Sequence, residues 1–157
     1  MTEEKKDFFV SDISLSYQYT AGNATTRFLN KVAEGKLVAQ KCPKCSAVYV
    51  PPRGSCPRCG VATEEELELP DTGAVESFTI VHIPIPGNPI VPPYVSAMIR
   101  LDGADISFLH LIQEIDLADI RIGMRVQAVW KDKSDWGTTL ENIKWFKPTG
   151  EDDVDPS

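Results

Sequence analysis

The four cysteines of this 157-residue chain lie in one short stretch, AQKCPKCSAVYVPPRGSCPRCG, as two Cys-x-x-Cys pairs separated by ten residues. A two-residue spacing lets a tight turn aim both sulfurs at one ion, and two facing turns complete a tetrahedral site. Gly60 follows the second pair and can adopt the positive φ that such a turn often needs, whereas Ser46 holds the matching place in the first. We therefore predict a structural Zn²⁺ site whose ligands are Cys42, Cys45, Cys56 and Cys59.

Other uses of the same thiols fit the sequence less well. A thioredoxin-like dithiol would need its Cys-x-x-Cys at a strand-to-helix junction, whereas CPKC lies in a turn-rich stretch. Two disulfides would conflict with a reducing compartment. Iron stays open, because ligand spacing does not separate iron from zinc. Four cysteine ligands leave no open position for water, so we expect a structural rather than a catalytic centre.

Groups for acid–base or nucleophilic catalysis are scarce. His82 lies in TIVHIPIP and His110 in SFLHLI, each within an apolar run typical of a strand. Such a histidine more often packs in a core than reacts, although a part in chemistry stays open for either. No cysteine is left over to pair with them, and no serine stands in a nucleophile-elbow motif. We predict no catalytic residue, which favours a binding or scaffolding role over a stand-alone enzyme.

Composition and charge narrow the function classes. The formal net charge of −7 disfavours nonspecific binding to nucleic acid or to anionic membranes. Residues 22–60 differ, because seven basic side chains stand against Glu34 alone, a net of +6. That segment suits a small anion or an acidic partner, and equally it could offset the charge of four thiolates. The chain starts without a secretory signal and contains no apolar run that could cross a bilayer, so we expect a cytoplasmic protein.

The segments before the cysteines predict an extended piece followed by a helix. SDISLSYQYTAG alternates apolar and polar residues, as a half-buried extended segment does. NATTRFLNKVAEG predicts a short helix in which Asn23 or Thr25 caps the first turn and Gly35 ends the last. The helix would bury one apolar face, formed by Phe28, Leu29 and Val32.

The segments after the cysteines predict a β structure. TEEELELPDTG allows one short strand, and from Gly73 onward five runs are rich in β-forming residues: AVESFTIVHI, YVSAMIRL, DISFLHLI, MRVQAVWK and TLENIKWF. QEIDLADIRIG, between the third and fourth runs, fits a short helix or a helical turn. Five strands in this arrangement match the OB-fold, with an SH3-like barrel as the rival. The predicted fold class is mainly β, with an N-terminal helical segment, a zinc ribbon and a five-stranded OB-fold barrel.

These elements divide the chain into consecutive regions. We predict an extended N-terminal arm over 1–21, a helix over 22–36, a zinc ribbon over 37–66, an OB-fold over 67–147 and a disordered acidic tail over 148–157. The tail, KPTGEDDVDPS from Lys147 on, is acidic and poor in apolar residues, which is typical of disorder.

The order of several segments resembles a known family. The chain is similar to the acyl-CoA-associated OB-fold proteins that carry an N-terminal rubredoxin-like zinc ribbon. The similar segments run from Phe28 onward: EGKLVAQKCPKC, VPPRGSCPRCG, GAVESFTIVH, PPYVSAMIRLDG and IRIGMRVQAVW. The resemblance covers about residues 20–147, and SYQYTAGNATTRFL is similar to members found beside thiolase-like proteins in lipid and sterol degradation.

The resemblance implies an accessory subunit of a thiolase-superfamily enzyme that acts on acyl-CoA thioesters. In one branch the partner is an aldolase, a lyase that cleaves a β-hydroxyacyl-CoA such as a steroid side-chain thioester by a retro-aldol step, with the catalytic groups largely on the partner. Archaeal relatives bridge a thiolase and hydroxymethylglutaryl-CoA synthase. Some relatives also carry a hydratase-like domain, and we expect any dehydration chemistry to lie outside the present chain. A single-stranded nucleic-acid-binding module stays the alternative, because zinc ribbons and OB-folds both occur in such proteins.

Three segments could contact the partner or the acyl-CoA. Arg53 could hold a coenzyme A phosphate or a partner carboxylate through its planar guanidinium, with Tyr49 nearby. IPIPGNPIVPPY, residues 83–94, carries five prolines among apolar residues, which favours a stiff contact surface, or equally a loop folded back onto the barrel. Trp136, in KSDWGTT, is predicted to be an exposed interface anchor at a turn, whereas Trp130 and Trp145 are expected to pack on the barrel.

Overall fold

The computed structural model describes residue 11 and residues 13–155. The first ten residues, which belong to the predicted arm, lie outside the described part. The described elements are a helix, a three-stranded sheet and a closed five-stranded barrel. This architecture confirms the predicted fold class, a mainly β chain with a helix, a ribbon and an OB-fold barrel.

The helix α1 spans Gly22–Ala33 and buries Phe28 and Val32 as its pattern predicts. Its start differs from the prediction, because the N-cap residue is Ala21 and no side chain caps the first turn. The helix begins two residues too early for Asn23 to serve as its N-cap. The hydroxyl of Thr26 donates to the Gly22 carbonyl at 2.7 Å.

The end of α1 follows the prediction. The backbone N–H of Gly35 donates to the Val32 carbonyl at 3.0 Å, and Gly35 has a φ of +79°. A Cβ at Gly35 would lie 2.5 Å from the Trp136 ring, so the absence of a side chain also lets Trp136 pack against the chain there. Glycine is therefore needed at this position for both its backbone angle and its small size.

The ribbon sheet consists of β1 (Leu37–Lys41), β2 (Val48–Tyr49) and β3 (Glu65–Leu69), with β1 in the centre and both pairings antiparallel. The residues of β1 are almost all buried, because Leu37 and Ala39 pack into the main core of the molecule. β3 is the short strand that TEEELELPDTG predicts.

The barrel strands are β4 (Thr72–Val81), β5 (Tyr94–Leu101), β6 (Phe108–Ile112), β7 (Arg125–Trp130) and β8 (Ile143–Pro148). Their order around the barrel is β4-β5-β6-β8-β7, and β7 closes on β4. All pairs are antiparallel except β6 and β8, which join in parallel at Ile112 and Phe146. This is the OB-fold, and each strand corresponds to one predicted β-rich run.

The connection between β6 and β7 contains no helix, so of the two predicted alternatives the turn is the one observed. Residues 113–124 fold as turns without a helix, and Asp116 organises the first of them by accepting from Ala118 N at 3.0 Å and Asp119 N at 2.9 Å. Two short 3₁₀-helices, Lys133–Asp135 and Leu140–Asn142, precede β8. The described residues contain no helix that is both long and apolar enough to span a membrane.

One core joins the helix, the ribbon sheet and the barrel. Val32 and Leu37 belong to the same buried cluster as Ile99 and Phe146 in the barrel. The buried amide of Asn142 reinforces this junction, because its Nδ2 donates to the Val32 carbonyl at 3.2 Å. The ribbon is therefore fixed to the barrel along its inner strand, and only its outer loops project.

The two ends of the chain differ from their predictions. Ile13, Leu15, Tyr17 and Tyr19 were predicted to be half-buried, but each is 75–81% exposed. Their alternation is that of a strand, yet no described strand pairs with them. At the other end, disorder was predicted from residue 148, but Val154 N donates to the Gly123 carbonyl at 2.9 Å and Arg121 pairs with Asp153. Composition does not reveal that these groups lie opposite each other.

Candidate metal centre and contact surfaces

The two cysteine pairs form matching turns. In the first, Cys42 N donates to the Ala47 carbonyl at 2.8 Å and Ser46 N donates to the Cys42 carbonyl at 2.9 Å. In the second, Cys56 N donates to the Val61 carbonyl and Gly60 N to the Cys56 carbonyl at the same two distances. The residue after each pair has a positive φ, +61° for Ser46 and +66° for Gly60. The turns thus have one geometry, as their spacing predicts.

The four sulfurs converge on one point. The ligand atoms of Cys42, Cys45, Cys56 and Cys59 all lie within 4.8 Å of one another, and the sulfurs of Cys45 and Cys56 are 3.7 Å apart. A tetrahedron of Zn–S bonds of about 2.3 Å has edges of about 3.8 Å. Backbone N–H groups of Lys44 and Cys45 point at the Cys42 sulfur, at 3.4 and 3.5 Å, as expected for a thiolate ligand. The site therefore fits a four-coordinate, thiolate-bound metal ion.

The electrostatics of the site also favour a cation. The Tyr49 hydroxyl lies 3.3 Å from the Cys56 sulfur, and this contact is the main cause that lowers the pKa of Cys56 to about 6. The hydrogen bond that the Cys59 thiol donates to Cys45, followed by burial, raises the pKa of Cys59 to about 12. Four sulfurs this close cannot all ionise on their own, and binding of a divalent ion would release their remaining protons.

The predicted contact residues Tyr49 and Arg53 meet beside the metal site. The Tyr49 side chain is buried, with its hydroxyl directed to Cys56, while the exposed Arg53 guanidinium lies 5.9 Å from the centroid of the Tyr49 ring. Together with Arg58 and Asp105 they line a pocket of about 440 Å³. Two guanidinium groups at its mouth could hold an anionic group. The role of Arg53 and Tyr49 as coenzyme A or partner contacts stays a prediction.

The two histidines occupy different settings. His82 is exposed, one residue beyond the end of β4, and not embedded in a strand as its sequence predicts. His110 lies on β6, with its ring edge-on to Phe108 and Phe146 at centroid distances of 6.2 and 5.4 Å. Burial lowers the pKa of His110, so the ring is neutral at neutral pH. The structure thus keeps the two imidazoles apart.

Two segments expose most of the large apolar side chains. Among the described residues, eleven large hydrophobic side chains are exposed, and seven of them lie on two segments: Ile13, Leu15, Tyr17, Tyr19, Ile83, Ile85 and Val91. From here on, the arm means residues 13–21, which are part of the predicted arm over 1–21, and the proline-rich loop means residues 83–93. Exposed apolar groups concentrated in this way are typical of an interaction surface.

Trp136 is not the exposed anchor that its turn position predicts. Its ring packs against Gly35 and lies 5.5 Å from the Trp130 ring, and its indole N–H donates to the Lys131 carbonyl at 2.9 Å. Trp136 is therefore part of the junction between α1 and the barrel.

Asp105 is a positioning residue that the sequence did not reveal. Its carboxylate accepts from Val48 N at 2.7 Å, and the Val48 carbonyl in turn accepts from Asp105 N at 3.0 Å. This pair of bonds ties the turn before β6 to the ribbon strand that leads to Tyr49. The sequence places Asp105 only at a turn, because its partner lies 57 residues away.

Comparison with protein families gives two adjoining matches. Residues 30–65 match the ChsH2 rubredoxin-like zinc ribbon domain, and residues 66–131 match the ChsH2 C-terminal OB-fold domain. The boundary between the matches falls at the start of β3, between the ribbon and the barrel.

Individual relatives agree with this assignment. A DUF35 domain-containing scaffold protein of Methanocaldococcus jannaschii is 37% identical over 117 residues, which are 71% of this chain and 81% of the relative. A probable enoyl-CoA hydratase alpha subunit of Thermomonospora curvata is 34% identical over 95 residues, but the match covers 60% of this chain and only 29% of that protein. The similarity thus concerns one part of the longer relative.

A solved structure, that of an Ltp2-ChsH2(DUF35) aldolase, shares the fold. The match has a TM-score of 0.62 at 27% identity, and it covers 83% of this chain and 98% of the matched chain.

Proposed function

Because this chain belongs to the DUF35 family of ChsH2-type zinc-ribbon and OB-fold proteins, we propose that it is an accessory subunit which binds and activates a thiolase-like acyl-CoA enzyme. The partner would be an aldolase that cleaves a β-hydroxyacyl-CoA by a retro-aldol step, as in the degradation of a steroid side chain. A structural neighbour that is part of an aldolase supports this choice of reaction.

The observation that carries the proposal is the exposed apolar surface of the arm and the proline-rich loop. Ile13, Tyr19 and Val91 are each about four-fifths exposed. Burying such side chains against a partner would contribute about 25 cal/mol for each Å² of apolar surface removed from water. An exposed apolar surface concentrated in this way is typical of a chain that binds a partner.

The distribution of reactive groups agrees with an accessory role. In the described part of the chain, the four thiols are gathered at one metal site, and neither His82 nor His110 forms a hydrogen bond to a serine hydroxyl or a carboxylate. The chain therefore contributes binding and support, and the partner would supply the general base and the acid.

We assign the metal as zinc on the strength of the four-thiolate set and the match to a zinc ribbon. The ion would hold the loop between the two cysteine pairs, residues 46–55, in place. Metal analysis of protein purified in the presence of both zinc and iron tests this assignment. One zinc for each chain is expected, and a thiolate-to-iron absorption band in its place would contradict it.

The pocket at Arg53 would help to hold the coenzyme A portion of the substrate. Arg53 is exposed and stands over Tyr49, so its guanidinium can donate two parallel hydrogen bonds to a phosphate. Arg53→Ala should raise the KM of the complex for acyl-CoA about tenfold with a small effect on kcat, because a charge-assisted hydrogen bond contributes about 1.5–3 kcal/mol. Arg27→Ala, at a basic position on α1 outside this pocket, is the control and should leave KM unchanged.

A co-purification experiment tests the docking surface. The double variant Ile83→Asp and Val91→Asp should abolish recovery of the thiolase-like partner on co-expression, because two carboxylates would be buried without counter-charges. Ile122→Asp alters a side chain that is 57% exposed elsewhere on the barrel, so it is the matched control and should retain the partner.

Both variants should keep the thermal stability of the parent protein, since all three positions are exposed. Equal recovery of the partner by the double variant and by Ile122→Asp would contradict docking through the proline-rich loop.

A further inference from the structure

The two cysteine turns share one backbone geometry but differ in a side-chain contact. In each turn the first sulfur accepts from the backbone N–H groups two and three residues later in the chain. The Cys56 sulfur also lies 3.3 Å from the hydroxyl of Tyr49. Within the described part of the chain, the equivalent sulfur of Cys42 has no hydroxyl at hydrogen-bond distance. The second turn therefore has a partner for its metal ligand that the spacing of the cysteines does not require.

The direction of this hydrogen bond follows from the chemistry of the sulfur. A cysteine binds a metal ion as a thiolate, which carries no proton to donate. A tyrosine hydroxyl has an ordinary pKa of about 10 and keeps its proton at neutral pH. In the metal-loaded chain the hydroxyl of Tyr49 would therefore donate, and the sulfur of Cys56 would accept. A hydrogen bond to a charged acceptor is about twice as strong as one between neutral groups.

Tyr49 reaches Cys56 because both the ribbon and the barrel fix its position. Its side chain is buried in the small cluster that includes Cys42 and Cys56. One residue earlier in the chain, Val48 exchanges two hydrogen bonds with Asp105, in the turn before β6. Packing and the barrel thus place the hydroxyl beside the sulfur, as orientation of a metal ligand by a neighbouring group requires.

The ring of Tyr49 faces the basic pocket on the other side. The guanidinium of Arg53 lies 5.9 Å from the centroid of the ring, and Tyr49 lines the pocket together with Arg58 and Asp105. One side chain therefore contacts a metal ligand through its hydroxyl and the pocket through its ring. A shift of Cys56 would move the surface on which Arg53 stands.

From these contacts we propose that Tyr49 is a positioning residue for the metal centre. Its hydroxyl donates to the Cys56 thiolate and fixes that ligand, and its ring carries the same order to Arg53. The role at the metal rests on the geometry of the ribbon alone, whereas the use of the pocket for coenzyme A rests on the proposed function. The metal centre and the pocket then share one residue, so loss of the ion would alter the wall of the pocket.

Tyr49→Phe tests the proposal, because it removes the hydroxyl and keeps the buried ring. In the full chain this variant should bind Zn²⁺ about 10–100-fold more weakly than the parent, measured by competition with a chelator of known affinity. Tyr94→Phe is the matched control. It removes a hydroxyl that accepts from Asn88 at 3.3 Å, at the opposite end of β5 from Asp105. The control should bind Zn²⁺ within about twofold of the parent, because distant sites act independently.

The spectrum of the Co²⁺-loaded chain separates this hydrogen bond from a merely structural role. A donor lowers the energy of the thiolate lone pairs, so the thiolate-to-cobalt charge-transfer band of Tyr49→Phe should move to longer wavelength. Arg53→Ala keeps the hydroxyl and should leave the band in place.

Incorporation of 3-fluorotyrosine into the otherwise unaltered chain supplies a second measurement that needs no substitution. The fluorinated phenol is a stronger donor, so the cobalt band should move to shorter wavelength. The same labelling of Tyr49→Phe should leave its band unchanged, since the other three tyrosines lie outside the metal site. The labelled parent decides the question even where Tyr49→Phe is unstable.

Three results would overturn the proposal. They are equal zinc affinity in Tyr49→Phe and Tyr94→Phe, a cobalt band that fluorotyrosine does not move, and a band that Arg53→Ala moves as far as Tyr49→Phe does. The last result would assign the effect to the charge of Arg53. These measurements involve neither the partner nor acyl-CoA, so their failure would leave the docking proposal standing. Failure of the co-purification experiment would equally leave the role of Tyr49 intact.

Discussion

The ribbon and the barrel are stabilised by different means. The outer part of the ribbon has a small cluster of its own, in which Cys42 and Cys56 are buried with Ala47 and Tyr49. The barrel shares a core of nineteen buried apolar residues with α1 and β1, including Phe146 and Ile99 with no or almost no exposed surface. Apolar burial holds the barrel, whereas the loops of the ribbon would depend on a bound ion.

The inner strand of the ribbon connects the two regions. Leu37 and Ala39 of β1 belong to the main core, and Asp105 of the barrel holds Val48 of β2. Loss of the metal should therefore release the loops that carry Arg53 and the cysteines without unfolding the barrel. The reverse does not hold, because β1, the central strand of the ribbon sheet, packs into the core that it shares with the barrel.

The largest expected effect comes from a metal ligand. Cys56→Ser should abolish stoichiometric metal binding, since the free energy of metal binding, about 10–16 kcal/mol in zinc-finger peptides, is also folding free energy. Hydrogen exchange should show amides of the two cysteine turns, residues 42–47 and 56–61, unprotected and those of β4–β8 unchanged. Ser55→Ala, beside it, should keep the metal. Global unfolding of Cys56→Ser would contradict the separate stabilisation of the two regions.

A substitution in the barrel core should have the opposite effect to loss of a metal ligand: it should destabilise the barrel and leave metal binding intact. Phe146→Ala leaves a cavity in the barrel, so it should lower the free energy of unfolding by about 3–5 kcal/mol, measured by denaturant titration. Phe78→Ala, at a residue that is 37% exposed, should cost much less. While Phe146→Ala remains folded, its metal content should stay at one ion for each chain. If Phe146→Ala lost its metal while its barrel stayed folded, the metal site would depend on packing inside the barrel, which would contradict the separate stabilisation of the two regions.

Substitutions at two glycines test how tightly each region is packed. Gly35 lies at the junction between α1 and the barrel, and Gly60 lies in the ribbon. Gly60→Ala places a Cβ in open space at a φ of +66°, so it should cost about 1–2 kcal/mol from backbone strain alone. Gly35→Ala adds a collision with the Trp136 ring to a similar strain and should cost more. Thermal unfolding of both variants measures the difference. Equal costs would indicate that Trp136 moves aside freely, and that the junction is softer than its packing implies.

The smallest effect concerns pH. Burial lowers the pKa of folded His110 below the usual value of 6.5, so the unfolded chain binds a proton first as the pH falls. His110 therefore makes stability fall as the pH drops from about 6.5 toward its folded pKa, and it has no such effect above 6.5. The charged groups that line the same cavity as His110 are Lys131, Lys144 and Glu141. His110→Gln should flatten the stability profile there, and an unchanged slope would contradict a buried neutral ring.

The sequence predicts best those features that are determined by residues close together in the chain. The metal ligands follow from two Cys-x-x-Cys pairs, and the barrel strands from runs of β-branched and aromatic residues. Gly35 and Gly60 were both assigned to positive φ correctly, because the turn types require it.

Predictions failed where a distant residue decides the outcome. Trp136 was expected in solvent, but it packs on Gly35, about a hundred residues earlier in the chain. The alternation in the arm predicts one buried face, yet the described residues contain no strand or sheet that covers it. Asn23 and Thr25 are good capping residues, but the helix begins before either of them.

The central claim is that this chain is needed by a partner that carries the chemistry. The most direct test is to assay retro-aldol cleavage of a β-hydroxyacyl-CoA by the thiolase-like partner alone, by this chain alone and by the two combined. We predict activity in the combined sample and little or none in either component. Full activity of the partner alone, unchanged when this chain is added, would contradict the account.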